Sequence, residues 1–233
     1  DWTVQFDQSS VKVYTKASSR GDMNKVAVSR IERTHRAIVT AAADLFLRQG
    51  FLGTSMDEIA AAADVSKQTV YAHFQSKEAL FLDVIRGMSG GASAELQEQV
   101  ADPGDDVPVE RFLLDFANQQ LAIVLTPRLL QLRRLVIAET VRFPELGREL
   151  RERGPMRSIT RLAQAFARYQ ARGHLDMADP MAAASFFNWL LMGAMTNDAM
   201  LLGDTVIPPA DKMQAHAKEA VRIFLSAYAI KAA

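Results

Sequence analysis

The sequence predicts an all-α protein: a small N-terminal head carrying a helix-turn-helix, joined to a larger helical body. Three observations predict it. Residues 54–80, TSMDEIAAAADVSKQTVYAHFQSKEAL, read as two short capped helices, a tight turn between them, and a third helix close behind. Beyond residue 100 the apolar residues recur at helical spacing, and the segments are divided by proline and glycine. After residue 30 no stretch alternates as a strand does, and no internal repeat is found.

Residues 1–29 form an N-terminal extension. DWTVQF and VKVYTK are short β-like runs separated by DQSS, the pattern of a hairpin, and ASSRGD reads as loop. Met23 and the NKVAVSRIERTH after it suit a start. Residues 1–22 are therefore either a native arm, able to reach DNA or a partner subunit, or sequence added ahead of Met23. Residues 1–36 carry +3, which leaves −3 on the rest of a chain of net charge zero. A basic arm on a neutral body suits a specific binder of nucleic acid.

The head is expected over residues 30–76. Arg30 to Gln49 is its first helix, with Ile31, Ile38, Ala42, Leu45 and Phe46 as the apolar stripe and Gly50 as its stop. Ser55 and Glu58 have capping-box spacing and open Met56 to Ala63. Asp64 and Val65 break that helix, and Ser66 caps Lys67 to Phe74. There Val70 and Phe74, four apart, face inward. The remaining face is short, polar and hydrogen-bonding, as a helix entering the major groove requires.

The body is expected over residues 77–233. Lys77 opens a helix that runs to about Met88 and on towards Val100, with a hinge or an end at Ser89-Gly90-Gly91. ADPGDDVP (101–108) is a turn cluster. Helices follow at Val109–Leu125, Pro127–Phe143, a short charged GRELRER, Pro155–Arg172, Pro180–Leu202 and from Pro208-Pro209 to Ile230. Thr126-Pro127 and Asp179-Pro180 are cap-plus-proline starts.

Gly50, Phe51, Thr54, Ser55, Ile59, Ala60, Ala63, Val65, Ser66, Thr69, Val70, Tyr71, His73, Phe74, Lys77 and Leu80 together resemble the DNA-binding domain of the TetR family, over roughly residues 30–86. Two positions depart from the usual pattern. Asp64 stands where a turn glycine is common, and Gln68 where the recognition helix often has glycine. Asp tolerates a left-handed turn, and Gln68 adds a group able to pair with adenine. The stretch RLVIAETVRFPELGRELRERGP and a later GHL turn resemble AefR-like effector domains more loosely.

The resemblance implies a homodimeric regulator, usually a repressor, that binds a palindromic double-stranded operator and is released by a small apolar or amphipathic effector. Lys67, Gln68, Thr69 and Ala72 are expected in the major groove. Thr54, Ser55, Thr69, Tyr71, His73 and Lys77 are expected to hold phosphates, with Arg30, Arg33 and Arg36 nearby. Phe112, Phe116, Leu132, Val136, Phe166, Phe186, Trp189, Met192 and Met195 are the expected pocket walls, with Arg133, Glu139 or Asn188 orienting the ligand. Met181, Phe187, Leu191, Met213, Ala217, Ala220, Phe224 and Tyr228 are the expected dimer face. Rival readings are a ligand-independent architectural regulator and a small-molecule carrier that has lost DNA binding.

Catalysis is not expected. There is no P-loop, GxGxxG or GxSxG, the four histidines (35, 73, 174, 216) share no metal spacing, and no cofactor is implied. The chain has no cysteine, which fits a reducing cytoplasm. Met181 to Asn197, 17 uncharged residues, is short of a membrane span, so no membrane partner is expected.

Overall fold

The computed structural model describes residues 2–5, 13–16, 19–99, 102–104 and 106–230, and among these the side chains from residue 30 onward except that of residue 99. A short antiparallel hairpin, β1 (Trp2–Gln5) and β2 (Val13–Lys16), pairs Trp2 with Lys16 and Gln5 with Val13. The DQSS connection lies outside the described residues. Among the described residues ten α-helices follow: α1 (Ser19–Gln49), α2 (Met56–Ala62), α3 (Lys67–His73), α4 (Lys77–Gln99), α5 (Val109–Val124), α6 (Pro127–Glu139), α7 (Pro144–Arg153), α8 (Pro155–Ala171), α9 (Pro180–Leu202) and α10 (Ala210–Tyr228). None of the described helices is long and apolar enough to cross a membrane.

Helix α1 begins at Ser19 rather than Arg30, so it takes in Ser19 to Asp22 of the stretch read as loop. Once packing holds residues 38–46, each further turn adds hydrogen bonds without a new nucleation step, and one glycine does not stop it. Its apolar stripe starts later than expected. Ile38 is fully buried, whereas Ile31 is 59% exposed.

Helix α4 runs unbroken through Ser89-Gly90-Gly91, where a hinge or an end was expected. It packs against α1, α5 and α7. Ser89 is buried, and Ser93 Oγ donates to the Arg153 carbonyl at the end of α7. Packing against three helices outweighs the propensity cost of two glycines, about 1 kcal/mol each.

Two apolar cores result. The head core gathers Ile38, Phe46, Phe51, Ile59, Val70, Phe74, Leu80, Phe81, Val84 and Ile85, but it also takes in Leu132, Val136 and Leu146. The body core is built from α5, α8, α9 and α10 around Phe116, Phe166, Tyr169, Phe187 and Phe224. Helix α6 lies between them: Leu130 belongs to the body core, Leu132 and Val136 to the head core. Just beyond α6, Phe143 meets Phe51 edge-on with ring centroids 4.9 Å apart, and Phe51 itself packs on Phe46 and Phe81. The head's core therefore does not stop at residue 76. At the far end, the Asp176 N–H donates to the Tyr228 carbonyl and the Ile230 N–H to that of His174, clasping the chain's end to the α8–α9 turn.

Candidate nucleic-acid interface and cavity

The two head helices start where their caps dictate. Ser55 Oγ accepts from the Glu58 N–H (3.2 Å), and Glu58 Oε2 accepts from the Ser55 N–H and hydroxyl (2.8 Å each). The capping box is therefore complete. These bonds, the hydroxyl's first, hold the Glu58 carboxyl below its ordinary range. Backbone bonds from Ala63 to Ile59 and from Val65 to Ala60 close α2. The turn places Asp64 at φ 53°, the left-handed conformation for which glycine is usual. Ser66 then caps α3, accepting from the Thr69 N–H at 3.0 Å.

Helix α3 divides cleanly. Val70 and Phe74 are buried; Lys67, Gln68, Tyr71 and Ala72 are exposed; Thr69 and His73 are half-buried. Tyr71 leaves 45% of its surface open. Lys67 Nζ lies 2.8 Å from Asp57 Oδ1, and this hydrogen-bonded partner raises its pKa. The pair is exposed, so breaking it to reach a base costs little. His73 sits 6.0 Å from the His35 ring, and His35 Nε2 is 3.4 Å from Asp83 Oδ2 on α4. Arg30, Arg33 and Arg36 are exposed on α1.

Two residues expected on phosphates are engaged inside the head instead. Thr54 is buried, and its hydroxyl donates to the Gly50 carbonyl at 2.8 Å. Lys77 Nζ donates to the carbonyls of Phe51 and Thr54, 2.8 Å each, and stands 4.3 Å above the Phe51 ring. A lysine at a helix N-terminus is as well placed to tie the preceding loop as to meet a phosphate. Here the loop's free carbonyls take it. Thr54 and Lys77 are thus positioning residues for the turn that presents α2 and α3. Ser55 also spends its hydroxyl on its cap, although it remains at the surface.

The expected pocket is redrawn. A cavity of about 90 Å³ opens among α4 to α9, lined by Ser89, Leu96, Gln120, Ile123, Leu129, Leu130, Leu132, Arg133, Leu150, Pro155, Ser158, Asn188, Trp189 and Met192, among others. Arg133, Leu132, Asn188, Trp189 and Met192 are where the sequence reading put them. The other expected walls are elsewhere. Phe112, Phe116 and Phe166 are sealed in the body core against one another and against Tyr169, Phe187 and Phe224. Val136 lies in the head core, Phe186 is 64% exposed, and Met195 packs beside the body core. Glu139 ends α6 and does not line the cavity.

The cavity's polar groups are few and incompletely satisfied. Gln120 Nε2 donates to Asn188 Oδ1 at 2.8 Å, while Gln120 Oε1 and Ser89 Oγ are buried with no partner among the described residues. Arg133 has neither a hydrogen bond nor an ion pair there, and burial alone pulls its pKa below the usual guanidinium value. Ser89 and Gln120 were not anticipated. Gln120 had a visible signal, since it stands four after Phe116 on an otherwise apolar stripe.

The expected dimer face is also redrawn. Phe187, Leu191, Ala217, Ala220 and Phe224 are all but fully buried within the chain, with Phe187 and Phe224 edge-on at 5.1 Å. Met213 and Tyr228 pack beside that core. Only Met181, 42% exposed, stays at the surface. The opposite side of α9 carries Phe186, Trp189 and Leu190, its last turn adds Leu201 and Leu202, and α10 adds Ile223, all exposed. A helix apolar all round buries one face in its own chain and leaves the other uncovered.

Among the described residues no cluster of His, Asp or Glu is arranged to hold a metal ion. Comparison with known proteins agrees with this architecture. Residues 38–84 match the family model for bacterial regulatory proteins of the tetR family, and residues 111–230 match that for the C-terminal domain of AefR-like transcriptional repressors. The transcriptional regulator AcrR of Shigella flexneri is 37% identical over 84 residues, 36% of this chain and 39% of that protein. The alignments thus span well under half the length of the curated relatives matched first. Solved structures match more fully. A TetR-family regulator from Mesorhizobium loti is 34% identical, with a TM-score of 0.81 over 86% of this chain and 99% of that one. The flavonoid-responsive regulator FrrA is 35% identical, with a TM-score of 0.71 over 86% of this chain and all of FrrA.

Proposed function

This chain belongs to the TetR family of bacterial transcriptional regulators, which are not enzymes, and from that premise we propose that it is a ligand-responsive repressor acting as a homodimer on a palindromic operator. The observation that carries the DNA reading is the capped, largely polar outer face of α3, with Tyr71 and Gln68 open to solvent above a buried Val70–Phe74 base. Lys67, Gln68 and Ala72 enter the major groove. Ser55, Thr69, Tyr71, His73, Arg30 and Arg33 meet the backbone and set register.

One short recognition helix reads only a few base pairs, so two heads about 34–36 Å apart are needed for a palindrome. The exposed apolar face of α9, with Ile223 of α10, is the surface two copies would share. The cavity is the effector site, a reading supported by its unpartnered polar groups. FrrA, named for its response to flavonoids, is a relative with such behaviour. Helix α6 transmits the signal, because it lines the cavity with Leu132 and Arg133 and enters the head core with Leu132 and Val136. A ligand that prefers the released geometry a hundredfold supplies about 2.8 kcal/mol per site.

The test is operator selection from sheared genomic DNA, followed by titration on the selected site and its point mutants. Tyr71→Ala is expected to weaken binding evenly on all sites. Gln68→Ala is expected to change which site is preferred, by about 1–3 kcal/mol at one base pair. A uniform loss for Gln68→Ala would remove it from base readout, and no enriched palindrome would overturn the operator reading.

A further inference from the structure

The cavity holds a cation without an anion. Its walls are aliphatic, from Leu129, Leu130 and Leu132 on α6 to Met192 on α9, yet Arg133 projects among them with no carboxylate or carbonyl partner in the described residues. An uncompensated guanidinium in apolar surroundings is costly, and natural sites retain such a group where something else completes it. Two further groups lack partners in the same cavity: the Ser89 hydroxyl, a donor, and Gln120 Oε1, an acceptor held in place by the bond from Gln120 Nε2 to Asn188.

We infer that this cavity takes a small organic anion with an apolar body, its carboxylate on Arg133 and Ser89. The carboxylate accepts from the guanidinium, where charge assistance makes the bond strong, and from Ser89. A hydroxyl elsewhere on the ligand would donate to Gln120 Oε1. The apolar body lies along the leucines towards Trp189, which is half exposed at the cavity's edge. The enclosed space of about 90 Å³ is smaller than the roughly 150 Å³ of a cavity that holds benzene, so the ligand is limited to a single ring, part of which reaches past Trp189 at the cavity's edge. This inference rests on the cavity being the effector site and adds the sign of the effector's charge.

The experiment uses the full chain and three matched probes: 3-phenylpropionate, its neutral amide and 3-phenylpropylamine. Binding is measured by calorimetry, and by Trp189 fluorescence in a Trp2→Phe background, since these are the two tryptophans. The acid is expected to bind at least tenfold tighter than the amide, and the amine more weakly than either. Arg133→Met should erase the acid's advantage while leaving the amide's affinity within threefold, and should raise the melting temperature of the ligand-free protein. Arg133→Lys should keep part of the preference. Equal binding of acid and amide, or an acid preference surviving in Arg133→Met, overturns the inference while leaving the cavity a ligand site. Failure of all three probes to bind overturns the cavity reading, and this inference with it.

Discussion

The head and the body use the same alphabet of leucine, alanine and phenylalanine, but they differ in how many tasks fall to each position. In the head, one side of each short helix is buried and the other is polar. Val70 and Phe74 go in, Gln68 and Tyr71 go out, and caps mark every start. In the body, apolar residues on a single helix serve three surfaces. On α9, Phe187 and Leu191 fill the core, Met192 and Trp189 line the cavity, and Phe186 and Leu190 are left outside. A pattern with one apolar face specifies direction, whereas a helix that is apolar all round does not.

The largest expected effect tests that division on the body. Phe224 stacks on Phe166 at 4.8 Å and meets Phe187 and Tyr228. Phe224→Ala should cost about 3–5 kcal/mol in urea unfolding. Phe186→Ala, on the outer face, should change unfolding of the isolated subunit by no more than about 0.5 kcal/mol, yet weaken self-association at least tenfold by analytical ultracentrifugation. If Phe186→Ala unfolds the chain and Phe224→Ala only dissociates it, the two faces have been exchanged.

A smaller effect tests the head. Lys77→Met keeps the aliphatic stem over Phe51 but removes two bonds to loop carbonyls. Bonds from a charged donor contribute about 1.5–3 kcal/mol, and the variant should lose an amount in that range in thermal unfolding. The discriminating readout is salt. A phosphate contact would flatten the salt dependence of operator binding by about one unit of slope, whereas a lysine turned inward leaves the slope unchanged. A flattened slope would return Lys77 to the DNA.

What was legible in the sequence follows from these differences. The Ser55–Glu58 spacing, the turn at Asp64 and the inward pair Val70 and Phe74 are local features, and each is realised in the structure. The helix starts at Pro127 and Pro180 were legible for the same reason. The cavity was legible only in Leu132, Arg133, Asn188, Trp189 and Met192, because it is made where six elements diverge, a feature no single helix encodes. Ser89 was hidden behind the glycines that follow it, since local propensity there argues for a break and packing against α7 keeps the helix whole. The loop bonds of Thr54 and Lys77 were not legible, because which group ties a loop depends on carbonyls brought together by the fold.

The smallest expected effect concerns Asp64, where this chain departs from the family's glycine. At φ 53° an ordinary side chain is strained by about 1–2 kcal/mol, and Asp somewhat less. Glycine removes that strain but adds freedom to the unfolded chain, worth about 0.4–1 kcal/mol in the other direction. The backbone bonds from Asp64 to Ala61 and from Val65 to Ala60 close the turn whichever residue stands there. Asp64→Gly should therefore shift stability by less than about 1 kcal/mol. Its carboxylate also borders a shallow groove with Arg33, Arg36 and Arg48, so its removal makes that face more basic and should raise operator affinity at low salt, with the gain fading as salt rises. A loss of stability beyond about 1 kcal/mol would mean that the carboxylate does more than tolerate the turn. The head would then hold an interaction as dependent on its tertiary surroundings as those of the body.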